Sequence, residues 1–238
     1  MKISISPIFG IFMGIGLIIL AVSSTILSIA YGTRLSSFIQ IFLVLINTWL
    51  FTGLFITAHD AMHGVVAPTH PKLNQRIGQV ALFVYAGLSY KRLLSGHILH
   101  HQYPATTDDP DYLPYHHKFR TMEAIVRWYG SFMLSYLTWH PFLVVASIFT
   151  VADRVYAVDV YSMLIFWILP QILSTLQLFY FGTFLPHRGE FKDSLPARSN
   201  DYPVWISLLT CFHFGYHREH HLYPHLPWWL LPYARTLR

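Results

Sequence analysis

The chain has 238 residues, 54% hydrophobic and only 11% charged. A soluble domain carries about 25% charged residues, so this composition excludes an ordinary water-facing surface and predicts a single membrane domain over residues 1–238. The formal net charge of +5 comes without a basic run interleaved with exposed aromatics, which argues against a nucleic-acid partner. The single cysteine, Cys211, excludes a disulfide framework or a thiolate metal cluster within one chain.

Four uncharged runs follow in chain order. Residues 7–30 reach about 35 Å as a helix, enough to cross the hydrocarbon core. Lys2 precedes this run and Ser28-Ile29-Ala30 loosely resembles a cleavage site. The apolar stretch nevertheless exceeds the ~7–15 residues of a signal-peptide core, so it reads as an uncleaved first span. Gly10 and Gly14, one turn apart, would let a neighbouring helix approach closely. Residues 37–58 form the second expected span and end directly in a histidine motif. The third, 128–151, is interrupted by His140-Pro141, where a kink is expected. Residues 160–184 form the fourth. Residues 77–88 and 202–214 are apolar but too short to span, and read as interfacial or re-entrant segments.

The cations give the sidedness. Lys72, Arg76, Lys91, Arg92, Lys118, Arg120 and Arg127 lie between spans two and three. Arg188, Lys192, Arg198, Arg218, Arg235 and Arg238 follow span four. The other side holds only Arg34 and Arg154, the latter beside Asp153 and Asp159. The positive-inside rule then predicts that both termini and the segments 59–127 and 185–238 are cytoplasmic.

Histidine occurs 15 times, and three dense clusters fall on that predicted cytoplasmic side. They are His59-x3-His63, His97-x2-His100-His101 and His217-x2-His220-His221. On a helix, residues three or four apart share a face with Cβ atoms about 5–6 Å apart. Each cluster therefore aims two or three imidazoles at one region. Eight imidazoles exceed the roughly four ligands of a structural zinc site, so the number suggests a dinuclear centre. Imidazole suits zinc, copper, iron and nickel alike. Redox-active iron is the best motivated, because an open site beside a bilayer suits oxygen chemistry on an apolar substrate. Haem ligands would be expected inside the spans, facing one another. A metal transporter would carry ionisable residues along its spans, whereas His140 is the only one within the four runs.

The segments FTGLFITAHDAMHG (51–64), HILHH (97–101), DPDY (109–112), FGTFLPHR (181–188), CFHFGYHREHH (211–221) and PWWLLP (227–232) carry a resemblance over most of the chain. The histidine boxes resemble those of the membrane-bound fatty acid desaturase-like superfamily. The flanking Leu-Pro-His-Arg and Pro-Trp-Trp narrow it to the β-carotene ketolases of bacterial and cyanobacterial type. One departure is Ala105, in Pro104-Ala105-Thr106, where Pro-Gly-Thr is expected; it reads as conservative.

The resemblance implies an all-α integral membrane protein, with four transmembrane helices and a cytoplasmic histidine-rich di-metal cap. It implies a di-iron, O2-dependent oxygenase acting on a carotenoid drawn from the lipid phase. Such an enzyme oxidises C4 of β-ionone rings by two successive hydroxylations and a dehydration, taking β-carotene to echinenone and canthaxanthin. Electrons would come from a separate ferredoxin-type reductant, consistent with a chain lacking a flavin or nucleotide fingerprint. The nearest alternatives are a fatty acid desaturase or hydroxylase, or a carotenoid 3-hydroxylase. The membrane would be a plasma (inner) or thylakoid membrane.

Carried over residue by residue, the metal ligands are His59, His63, His97, His100, His101, His217, His220 and His221. The superfamily's further histidine between the second and third boxes is assigned to His187, with His213 as the rival. Asp60 and Glu219 lie inside the boxes but off the ligand face, as candidate partners for imidazole N–H groups. Asp108, Asp109 and Asp111 could orient second-box histidines, Asp109 or Asp111 being favoured, with a simple Asp-Pro turn as the alternative. Trp228-Trp229 reads as interfacial anchoring, with the lining of a substrate tunnel as the alternative, and His70, His116, His117, His140 and His225 as non-ligands.

Overall fold

The structure, a computed structural model, describes residues 7–113, 121–188, 191 and 195–237; Lys2, His116, His117, Lys118, Arg120, Lys192 and Arg238 lie outside them. Every regular element among the described residues is helical. In chain order the main ones are α1 (Pro7–Tyr31), α2 (Ser37–Met62), α3 (Pro71–Ala86), α4 (Tyr90–Gln102) and α5 (Met122–Tyr136). They continue with α6 (Trp139–Tyr156), the long α7 (Val160–His187), α8 (Val204–Cys211) and α9 (His217–Leu222). The chain divides into two compact units, residues 1–89 with 139–175, and 90–138 with 176–238.

Among the described residues three helical stretches are long and apolar enough to cross a membrane: Ile8–Arg34, Ser37–Met62 and Val160–His187. A fourth exists only if α5 and α6 are counted together as one broken span. Residues 128–151 are thus not one helix. The break falls at Leu137, whose backbone is extended, ahead of His140-Pro141. Pro141 then occupies the first turn of α6, where its missing N–H costs no helical hydrogen bond.

In the first unit α2 is the central helix, and most of its second half is buried. Its Asn47 ties three elements together. Ser24 Oγ donates to Asn47 Oδ1 at 2.6 Å, and Asn47 Nδ2 donates to Ser28 Oγ and to the Phe166 carbonyl at 3.3 and 3.0 Å. Phe166 sits in a π-helical turn of α7, Leu164–Ile168, and a buried carbonyl there needs such a partner. Gly14 performs the close approach expected of it. A Cβ at this position would lie 3.1–3.2 Å from Ile77, Thr57 and Val66 side chains.

In the second unit the core gathers Trp128 of α5 with Phe179, Phe184 and Leu185 of α7. Residues Phe179–Phe184 form a second π-helical turn, directly before His187. Trp228, read from sequence as an interfacial anchor, is buried against Phe212 with ring centroids 5.1 Å apart.

Candidate metal centre

In the first unit, His59 lies in the last turn of α2 and His63 is its C-cap. The i, i+4 spacing brings their ring centroids to 5.0 Å and their ligand atoms within 4.8 Å. What holds this helix end is Asn74 of α3. Its Nδ2 donates to the Ala61 carbonyl at 2.6 Å, and its Oδ1 accepts from Val66 and Ala67 N–H at 3.2 and 3.1 Å. One buried side chain thereby adds a second donor to a carbonyl of the helix end and satisfies two N–H groups of the following turn. Asp60, expected to support an imidazole, is buried with Oδ1 3.4 Å from His59 Nδ1, a long contact. Burial pushes the His63 pKa down to about 4.

In the second unit seven histidines form two groups. His100, His187, His217 and His221 present ligand atoms all within 4.8 Å of one another. His97, His101 and His220 do the same. Neighbouring residues serve different groups, His100 and His101 on α4, and His220 and His221 on α9. The Nε2–Nε2 separations are 3.1 Å for His100–His221, 2.9 Å for His187–His217, 3.0 Å for His217–His221 and 3.0 Å for His101–His220. Between two neutral imidazoles at most one proton can bridge such a contact. Four ring nitrogens converging without a carboxylate among them make a donor set that a soft-to-borderline cation satisfies.

Two of these rings are fixed from behind. His100 Nδ1 donates to Asp109, whose two oxygens both stand at 3.1 Å. Asp109 also accepts the Ala105 and Asp111 N–H groups, each at 2.8 Å. Asp111 Oδ2 lies 3.7 Å from the same His100 nitrogen. His187 Nδ1 donates to the Pro196 carbonyl at 2.8 Å. With Nδ1–H engaged, Nε2 is left as the lone-pair nitrogen facing the cluster. His217 Nδ1, by contrast, is buried with no hydrogen-bond partner among the described residues.

The electrostatics follow these contacts. Burial opposes a charge on His100, but the hydrogen bond to Asp109 and the charges of Asp111 and Asp109 outweigh it and hold its pKa above the ordinary value. Asp109 is held below the usual carboxylate range despite its burial, chiefly by His100, while burial pushes Asp111 up. His217 is pushed well down by burial, then by its imidazole neighbours, which keeps it neutral and able to donate a lone pair.

Of the two candidates between the boxes, His187 stands in a cluster, whereas His213 belongs to no ligand group among the described residues. His213 follows α8 with φ +61°, stacks on Tyr216 at 5.8 Å, and is pushed down to a pKa of about 4 by burial. Glu219 is buried and accepts a hydrogen bond from Ser199. Asp108 is exposed, as are His70, His140 and His225. Sequence reasoning missed Asn74, Ser199 and the Pro196 carbonyl. A polar residue within an otherwise apolar helical face was the one available sign of Asn74; a backbone carbonyl leaves none.

Residues 36–238 match the fatty acid desaturase family. The chain is 47% identical over 192 residues to a "Beta-carotene ketolase" of Paracoccus sp. (strain PC1), covering 79% of this chain and 76% of the relative. It is 38% identical over 209 residues to a "Beta-carotene ketolase" of Haematococcus lacustris, covering 83% and 62%. It is also 38% identical over 197 residues to a "Zeaxanthin 4-ketolase" of Chlamydomonas reinhardtii, covering 79% and 42%.

Proposed function

The chain belongs to the fatty acid desaturase family, in the branch of the β-carotene ketolases, and from that premise we propose that it is a membrane-bound, non-haem di-iron carotenoid ketolase. The observation that carries this reading is the pair of abutting imidazole groups, with His100/His101 and His220/His221 split between them. Adjacent residues on one short helix cannot aim at one ion, and the split supports two.

The ligand set we infer is His97, His100, His101, His187, His217, His220 and His221, to which His59 and His63 add two imidazoles on the strength of their convergent spacing and of the family resemblance. Two iron ions held there would supply O2 activation for attack on an allylic C–H bond. The chain's own part is to orient and to keep dry. Asp109 and Pro196 O fix the His100 and His187 tautomers, and burial keeps His217 neutral.

The substrate is the C4 methylene of a β-ionone ring, so that β-carotene gives echinenone and then canthaxanthin. Each hydroxylation consumes one O2, two electrons and two protons and releases water. A second hydroxylation at the same carbon gives a geminal diol, which loses water to the ketone. The electrons must come from outside this chain, and a ferredoxin-type protein is the donor we infer. The carotenoid enters from the lipid phase of a plasma (inner) or thylakoid membrane, with both termini cytoplasmic; the cation distribution supports that orientation.

Expression in β-carotene-producing bacteria tests the reading directly. C4 ketones should accumulate in the pigment extract, and His187→Ala should lose them together with bound iron, while His213→Ala retains iron. A 3-hydroxylated pigment, or a changed fatty acid profile without C4 ketones, would assign the site to a sister activity instead.

A further inference from the structure

The acidic turn behind His100 is itself held from the far side. Three side chains of α5 reach it. Trp128 Nε1 donates to the Asp111 carbonyl at 2.9 Å, and Ser135 Oγ donates to the Pro110 carbonyl at 3.1 Å. Tyr136, the last residue of α5, donates its hydroxyl to Asp111 Oδ1 at 2.7 Å. The first two fix the backbone of the turn; Tyr136 alone of the three reaches a carboxylate that faces His100.

Its path there depends on Gly96, one residue before the second histidine box. A Cβ on Gly96 would lie 2.9 Å from Tyr136 Cε1 and 3.3 Å from its hydroxyl oxygen. The ring therefore crosses α4 where there is no side chain to meet. Asp111 in turn lies 3.7 Å from His100 Nδ1 and gives its own N–H to Asp109, the residue that accepts from His100.

His100, Asp109 and Asp111 also offer ligand atoms within 4.8 Å of one another. These carboxylates already accept from Ala105 N–H, Asp111 N–H, His100 and Tyr136. The trio is a brace built of hydrogen bonds, with no call for a further cation.

We propose that Tyr136 is a positioning residue of the metal centre, its hydroxyl holding Asp111 so that the Asp109–Asp111 turn keeps the His100 ring aimed at the metal. The proposal rests on the ligand role inferred for His100 and adds to it a residue outside every histidine box. Tyr136→Phe keeps the ring over Gly96 and removes only the hydroxyl, so packing is spared.

The experiment is a Co(II) titration of the purified full-length protein in detergent, following affinity and the visible ligand-field spectrum, with the Tm of the metal-free protein measured in parallel. Direct partners of metal-bound histidines are worth about 10–100-fold in affinity; one contact further out, Tyr136→Phe should weaken Co(II) binding on the order of threefold to tenfold and alter the spectrum. In an Asp111→Asn background the same change should add nothing, because its route is already cut. Unchanged affinity and spectrum, with or without a fall in Tm, overturns the proposal, as does an equal loss in both backgrounds. His100→Ala separates the two readings. If it binds Co(II) as the parent does, the ligand assignment itself is wrong; if it loses Co(II) while Tyr136→Phe does not, only the role of Tyr136 falls.

Discussion

The two units hold their histidines by different means. His59 and His63 ride on the end of a 26-residue helix, where regular spacing alone brings the rings together. Of the seven clustered histidines of the second unit, six sit on short helices, α4 of 13 residues and α9 of 6, and His187 stands at the end of α7. A six-residue helix is marginal by itself, and its side chains keep their aim only if something stands behind them. That backing is supplied by groups outside the boxes: Asp109 and Pro196 O on imidazoles, Ser199 on Glu219, and α5 on the acidic turn. The α2 pair has its helix end pinned, whereas the clustered histidines of the second unit have rings pinned directly, His187 included.

The sharpest way to break this contrast is to remove the pin of α2. Asn74→Ala leaves the Val66 and Ala67 N–H groups without the acceptor they share, while the Ala61 carbonyl keeps the Gly64 N–H. Each buried group left unsatisfied costs about 1–3 kcal/mol, so a total near 3 kcal/mol is expected after partial relaxation. The measurement is thermal unfolding of the metal-free protein in detergent. A loss under about 1 kcal/mol would show that the turn finds other partners and that α2 needs no pin.

The matching test in the second unit reads metal affinity. Asp109→Asn should weaken metal binding about 10–100-fold, because an amide no longer compels His100 to carry its proton on Nδ1. Asp60→Asn, at a contact of 3.4 Å and on a helix that sets the ring by itself, should cost several-fold less. Equal losses at the two aspartates would erase the distinction between the units.

How much of this was legible in the sequence follows from the same contrast. The apolar runs 7–30, 37–58 and 160–184 each fall within a long helix, because chain-length apolar stretches and helical spacing are local properties. The third run, 128–151, shows its interruption at His140-Pro141 but not its place or purpose: the break falls at Leu137 and ends α5 where Ser135 and Tyr136 meet the acidic turn. The histidines announced themselves by spacing, and Asp109 by its Asp-Pro turn. Asn74, Ser199 and Tyr136 did not, because their partners are distant in sequence and, in most cases, backbone atoms.

The pH response separates the units less strongly. His63 is depressed to about 4 in the folded chain against 6.5 unfolded. Above pH 6.5 both states are neutral and the contribution is complete. As pH falls below 6.5 the unfolded state takes up a proton that the folded state refuses, so stability is lost down to about pH 4. In the second unit His213 and His217 act in the same direction. His100, held above its ordinary value, acts oppositely, stabilising below pH 6.5 and losing that contribution as pH rises through its folded pKa. The Tm of the metal-free protein should therefore fall between pH 7 and pH 5, and His63→Gln should reduce that fall. An identical fall in the variant would remove His63 from the account.

The smallest effect concerns Ala105, where the sequence departs from Pro-Gly-Thr. The exchange looks conservative on paper, yet Ala105 has φ +58°, in the left-handed region where a Cβ crowds the following carbonyl. The chain accepts that conformation because it turns the Ala105 N–H onto Asp109 Oδ2 at 2.8 Å, in the turn behind His100. Glycine would adopt the same φ without the clash, at the cost of more freedom in the unfolded chain. The first effect is the larger, so Ala105→Gly should stabilise the metal-free protein by about 1 kcal/mol, read as a rise in Tm. Metal affinity should stay within about twofold, because the hydrogen bond to Asp109 is made by backbone and survives the change. A rise in Tm accompanied by weaker metal binding would mean that the strained alanine is itself part of what aims His100, and would move this turn from scaffold to site.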